Sequence, residues 1–85
     1  MAYRVVMTPE ARRNMLALPQ DVARRVTVCI LALAEKPRPP QMRKLKGILN
    51  LWRVRLGDYR VVYQIEDDRL LIVVIRIGHR REVYR

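Results

Sequence analysis

The stretch from Leu51 to Ile65 restricts this chain more than any other, because it reads as two strands joined by a very short turn. Trp52, Val54 and Leu56 alternate with Arg53 and Arg55, the period of a strand with one apolar face. Gly57-Asp58 is a two-residue turn, after which Tyr59 to Ile65 folds back. In that register Arg55 lies opposite Arg60, with Arg53 one step further along the same face. Like charges directly opposite each other destabilise a sheet. A fold has no need to gather three guanidiniums, so the arrangement predicts an absent anion. A solvated polar sheet face is the plain structural alternative.

The rest of the chain supplies what such a hairpin packs against. Tyr3 to Met7 reads as a first strand. Thr8-Pro9-Glu10 is a helix start: a hydroxyl cap, a proline at the first helical position and an acid in the first turn. The first helix is expected to run to Leu18, burying Ala11, Met15 and Leu18, and Pro19 ends it. A second helix from Gln20 or Asp21 to Glu35 buries Val22, Val26, Ile30 and Leu33, which recur at helical spacing with Cys29 beside them. Lys36 to Gln41 holds three prolines and is a stiff connector. Arg43-Lys44-Leu45-Lys46-Gly47 is expected to be a basic loop. The last strand is expected over Arg69 to Ile77, preceded by a turn at Glu66-Asp67-Asp68. Its unbroken aliphatic run, Leu70 to Ile75, calls for cover on both faces. Gly78 should break that strand, and a basic tail follows to Arg85. The expected class is α+β. An N-terminal strand and a helical hairpin pack on a largely antiparallel four-stranded sheet, in the order β-α-α-β-β-β.

With 85 residues the chain is one small domain with a modest core. Its formal charge of +10 comes from 18 basic and 8 acidic side chains, and 15 of the basic ones are Arg. Guanidinium offers a planar fork to phosphate where ammonium offers a point charge. The excess therefore points to a polyanion: nucleic acid, an acidic protein or an anionic membrane surface. Cys29 is the lone cysteine and His79 the lone histidine, which excludes an intramolecular disulfide and leaves no ligand set for zinc. The longest apolar run is too short for a bilayer and there is no signal-peptide pattern. A cytoplasmic protein with no membrane partner is expected.

No nucleotide-binding glycine loop, nucleophile elbow or carboxylate pair stands out. Histidine is the side-chain type suited to proton transfer near neutral pH, and the one here, His79, lies beside Arg80 and Arg81, with Tyr84 close by in sequence. A cationic site with one His and one Tyr suits phosphodiester chemistry on RNA. The 2′-hydroxyl is an internal nucleophile, several Arg stabilise the phosphorane, and an acid protonates the leaving 5′-oxygen. A tyrosine ring stacks on a splayed base. The scheme needs no metal and no cofactor.

The segments Lys44-Leu45-Lys46-Gly47, Trp52-Arg53-Val54-Arg55-Leu56, Gly57-Asp58-Tyr59-Arg60-Val61-Val62-Tyr63 and Gly78-His79-Arg80-Arg81-Glu82-Val83-Tyr84 resemble the RelE/ParE toxin superfamily, on its RelE branch. The resemblance implies a type II toxin that cleaves mRNA in the ribosomal A site without metal, leaving a 2′,3′-cyclic phosphate. It implies an acidic RelB-like antitoxin as partner, in a hetero-oligomer that binds operator DNA. By the same resemblance, Arg53 and Arg55 stand at positions usually held by functional Lys or Arg. Arg60, Arg80 and Tyr84 match further functional positions. Arginine is a poor general base, so the base stays open, with His79 a candidate by elimination. Arg43, Lys44, Lys46 and Arg81 are expected to add substrate contacts. The alternatives are a ParE-like inhibitor of DNA gyrase and a nucleic-acid-binding module without turnover.

Overall fold

The computed structural model describes residues 2–45 and 50–79. Strand β1 (Arg4–Met7) leads into helix α1 (Pro9–Ala17) through the expected cap: the Thr8 hydroxyl oxygen accepts from the Ala11 amide at 3.0 Å. The helix stops at Ala17, one residue early, because Pro19 disfavours helical backbone at the residue before it and Leu18 is extended (φ −76°, ψ 148°). Helix α2 (Gln20–Glu35) buries the expected stripe, Val22, Val26, Ile30 and Leu33. Cys29 is half-buried beside it, and burial raises its thiol pKa. No helix among the described residues is long and apolar enough to cross a membrane.

The sheet has five strands in the order β1-β5-β4-β3-β2, one more than expected. The additional strand is β2 (Met42–Lys44), in the segment expected to be a basic loop. Three residues are too few to show a strand period, and their pairing with β3 (Leu51–Leu56) is a tertiary contact. The hairpin from β3 to β4 (Tyr59–Glu66) forms in the expected register, Arg55 opposite Arg60. Gly57 takes φ +60° in its turn, the left-handed backbone that glycine adopts without penalty. Strand β5 (Leu71–His79) is shifted from the expected Arg69–Ile77. Arg69 belongs to a 3₁₀ turn, Asp67–Arg69, closed by left-handed Leu70 at φ 48°. At the far end Gly78 continues the strand, because it pairs with Arg60 of β4. The β4–β5 register shifts between Val62 and Tyr63: Val62 pairs with Arg76 and Tyr63 with Val74, leaving Ile75 as the extra residue of a bulge.

One face of the sheet meets the helices. Val54, Val61, Tyr63, Ile65, Ile72, Val74 and Ile77 pack there against Ala11 and the α2 stripe. Tyr63 has no exposed surface, and its hydroxyl donates to the Pro37 carbonyl at 2.9 Å. Burial pushes its pKa far above the ordinary phenol range. Arg38 grips Asp67 through two hydrogen bonds of 3.1 and 2.7 Å, and the Tyr3 hydroxyl donates to the same carboxylate at 2.6 Å. The proline-rich connector is thus tied both to the core and to the β4–β5 turn.

Strand β1 pairs with β5 only over Leu71 to Val74. Beyond that point the edge of β5 would lie open, with unpaired backbone groups. Helix α1 closes it. The Thr8 amide donates to the Val74 carbonyl at 2.9 Å, and the Thr8 hydroxyl donates to the Ile75 carbonyl at 2.7 Å. The Ile77 amide donates to Asn14 Oδ1 at 2.9 Å. Asn14→Ala leaves that amide without its acceptor and is expected to cost about 1–3 kcal/mol in urea unfolding. A loss within a few tenths would mean that water replaces the Asn14 amide.

The Arg38 guanidinium, and then the Tyr3 hydroxyl, hold the Asp67 carboxyl down to about 2. A depressed folded-state pKa gives stability that is present above the usual carboxylate range, about 3.9, and is lost as pH falls through the folded value. The site is exposed, so the effect is small. Its sign is definite: Asp67→Asn is expected to flatten the fall in stability between pH ~4 and ~2, read by thermal melting. An unchanged acid limb would mean that the Arg38–Asp67 contact contributes nothing to stability.

Candidate nucleic-acid interface

The hairpin register and the sheet order decide which basic residues share a surface. Across the face opposite the helices, Arg55 of β3 pairs with Arg60 of β4, and Arg60 with Gly78 of β5. In the neighbouring row Arg43 of β2 pairs with Arg53 of β3, Arg53 with Val62, and Val62 with Arg76 of β5. Residues directly opposite one another share a face. Among the described residues, five arginines therefore stand on one sheet face, and no carboxylate occupies either row. Acids stand at its borders: Asp58 in the turn, Glu66 bonded to Arg69 at 3.0 Å, and Glu10 against Arg76.

The five are not equivalent. Arg55 and Arg43 are exposed and Arg53 is half-buried. Arg60 is 3% exposed, the sole buried charged residue among those described. Its Nη1 donates to the Gly57 and Tyr59 carbonyls, both at 3.0 Å. Arg60 thus clamps the turn that fixes Arg55, and it supplies positive charge from below the surface.

Sequence neighbours of this face separate by strand alternation. Lys44 pairs with Trp52 and lies on the helix side, its ammonium 5.8 Å from the indole centroid. That cation–π contact fixes the edge strand rather than reaching the arginine rows. His79 pairs with Tyr59, also on the helix side, with ring centroids 5.7 Å apart and planes at 80°. Both rings line a cavity of about 210 Å³ with Asn14, Leu18 and Pro19. The structure therefore brings together Arg43, Arg53, Arg55 and Arg60, and sets Lys44 and His79 on the other side. Lys46, Arg80, Arg81 and Tyr84 lie outside the described residues.

Arg76 was missed by sequence reasoning. Its signal was one charged residue inside an otherwise aliphatic strand, but the bulge that settles its facing is a property of the paired sheet. Among the described residues no group of three or more His, Cys, Asp or Glu could hold a metal ion. What the face offers is fixed positive charge and guanidinium donors, the equipment for binding phosphate and stabilising an anionic transition state.

The comparisons with known proteins agree with this geometry. The family profile described as "ParE toxin of type II toxin-antitoxin system, parDE" matches residues 5–84. Toxin RelG of Mycobacterium tuberculosis is 33% identical over 100% of this chain and 99% of its own length. The mRNA interferase toxin RelE of Escherichia coli K12 is 30% identical, covering 99% of this chain and 92% of that protein. Among solved structures, the archaeal RelE–RelB complex from Pyrococcus horikoshii superposes with a TM-score of 0.83 at 30% identity, covering 96% of this chain and 99% of that one. The intact Escherichia coli RelBE toxin–antitoxin complex gives 0.82 at 26%, covering 92% and 96%. The chain belongs to the RelE/ParE family of type II toxins.

Buried and exposed arginines of one face should separate in experiment. Arg60→Ala strands the Gly57 and Tyr59 carbonyls and is expected to cost about 1–3 kcal/mol of stability. Arg55→Ala should stay within roughly 0.5 kcal/mol of wild type. Equal losses in urea unfolding would contradict the division of labour.

Proposed function

We propose that this protein is the toxin of a type II toxin–antitoxin pair, an endoribonuclease that cleaves mRNA in the ribosomal A site and so stops translation. One observation carries the reading: an arginine face that holds no carboxylate among the described residues, on a chain related along almost its whole length to an mRNA interferase. In the reaction the 2′-hydroxyl of one nucleotide loses its proton and attacks the adjacent phosphorus. The bond to the 5′-oxygen breaks, that oxygen takes a proton, and a 2′,3′-cyclic phosphate remains. Charge on the phosphorane is met by Arg55 and Arg53, while Arg60 holds the turn that aims Arg55. Arg80 is assigned to the same charge and Tyr84 to stacking on the splayed base. His79, just past Gly78 at the end of β5, enters only for an RNA strand that passes over that end.

Single-turnover cleavage on programmed ribosomes tests the assignment. Arg55→Ala and Arg80→Ala are each expected to slow cleavage on the order of a hundredfold or more, with ribosome binding retained. Tyr84→Phe should keep more activity than Tyr84→Ala. Full activity in His79→Gln removes histidine from proton transfer and leaves the rest. The family description also names ParE, which supports gyrase inhibition as a second reading. A wild-type protein that blocks gyrase supercoiling and never cuts mRNA would establish that reading instead.

The partner is an acidic RelB-like antitoxin, and a surface suited to it lies away from the arginine rows. A groove of about 730 Å³ runs between α2 and the β2–β3 edge, floored by Val28, Cys29, Ala32, Leu33, Val54 and Leu56. Arg24, Arg25, Lys36 and Arg38 rim it, against one acid, Glu35. Apolar floor and cationic rim fit an amphipathic helix with acidic flanks. Val28 is 67% exposed, so a charge there costs the free toxin little. Val28→Glu is expected to weaken antitoxin binding by roughly tenfold or more in titration calorimetry, with mRNA cleavage unchanged. Unchanged binding would move the antitoxin to another face.

A further inference from the structure

Arg76 lies in the row that carries Arg43 and Arg53. From Arg53 it is two strand spacings away, about 10 Å, with Val62 between them. The pairing of β1 with β5 ends at Val74, and α1 closes the edge at this level, so among the described residues Arg76 is the last strand cation on that side of the row. Its side chain, 39% exposed, turns toward the sheet edge, where Nε stands 2.9 Å from Glu10 Oε2 of α1. The geometry is poor for so short a contact. Nε is shut off from solvent and makes no aligned hydrogen bond, so charge proximity holds it. Glu10 is itself 43% exposed, and an exposed pair of this kind is worth little.

A weakly held arginine at the end of a phosphate-binding row is open to exchange. A phosphate arriving beside Arg53 brings a full negative charge and several acceptor oxygens, which the Glu10 carboxylate cannot match from the edge. Resting on the RNA-cleavage reading above, we propose that Arg76 is a further RNA phosphate contact, held off the track by Glu10 until the strand displaces it. The track then crosses four strands, from Arg43 on β2 through Arg53 to Arg76 on β5, and RNA lies across the strands. Glu10 acts as an internal competitor that lowers affinity for nucleic acid in general.

The test uses the full-length protein and a single-stranded mRNA oligonucleotide with deoxyribose at the cleavage position, so that it binds without being cut. Affinity is measured against salt. Arg76→Ala and Arg76→Gln are each expected to lower the slope of log affinity on log salt by roughly 0.7, the value of one phosphate contact on a single strand. Arg76→Lys should restore most of it. Glu10→Gln is expected to tighten binding severalfold in wild type and not at all in the Arg76→Gln background. A purely structural ion pair gives the opposite pattern: both variants lose thermal stability and neither moves the slope. That result overturns the inference, as does a Glu10→Gln gain that survives without Arg76. Arg55→Ala is the control for the underlying reading. If Arg55→Ala weakens binding and Arg76→Ala does not, only the Arg76 contact fails. If the wild type binds with no salt dependence, the cationic face itself is not the RNA site and both fall.

Discussion

The open face of this protein depends on one buried guanidinium. Desolvating a charge costs several kcal/mol unless the site answers it. Arg60 is answered by the Gly57 and Tyr59 carbonyls of the turn it follows. Gly78, opposite on β5, brings no side chain of its own into the row. The clamp fixes the turn, and the turn fixes the register of β3 on β4. A slip of one residue would drive Arg53 and Arg55 into the core and bring Val54 to the open face. The repulsion between opposed arginines is therefore borne by the same contact that sets them opposite.

That register divides the protein into two sides with separate tasks. The helix side is a close-packed apolar layer in which Tyr63, Ile72 and Ile77 have almost no exposed surface. The open side keeps its charge because the helices do not cover it. Alternation sends Lys44 and His79 to the helix side although their sequence neighbours Arg43 and Gly78 belong to the other. A basic residue near the site in sequence is thus not automatically near it in space. The same alternation leaves the α2 groove and the arginine rows on different surfaces.

The shortness of β1 links stability to function. With only four residues it leaves the end of β5 unpaired, and α1 must start at that level to close the edge through Thr8 and Asn14. The first turn of α1 is where an acid is favoured by the helix dipole. Glu10 fills that place and comes to stand against Arg76. A capping preference and an edge closure together put a carboxylate at the border of a cationic face.

Much of this was legible in the residues. The α2 stripe, the Thr8 cap and the Arg55–Arg60 register follow from local periodicity and turn chemistry, which need only neighbours a few positions away. The family resemblance likewise rested on contiguous segments, and it carried the expectation of a toxin fold. What local pattern could not hold was decided by the assembled sheet. A three-residue strand such as Met42–Lys44 has no period of its own and exists because β3 offers it an edge. The bulge at Ile75 resets which residues of β5 face outward, and so brings Arg76 into the row. Whether an arginine faces solvent or clamps a turn is likewise invisible in its letter: Arg55 and Arg60 read alike, and only burial separates them. Backbone conformation and amphipathic period are local quantities, set by the sequence alone. Burial, facing and charge proximity are sums over residues far apart in the chain, and they acquire values only when the tertiary structure closes.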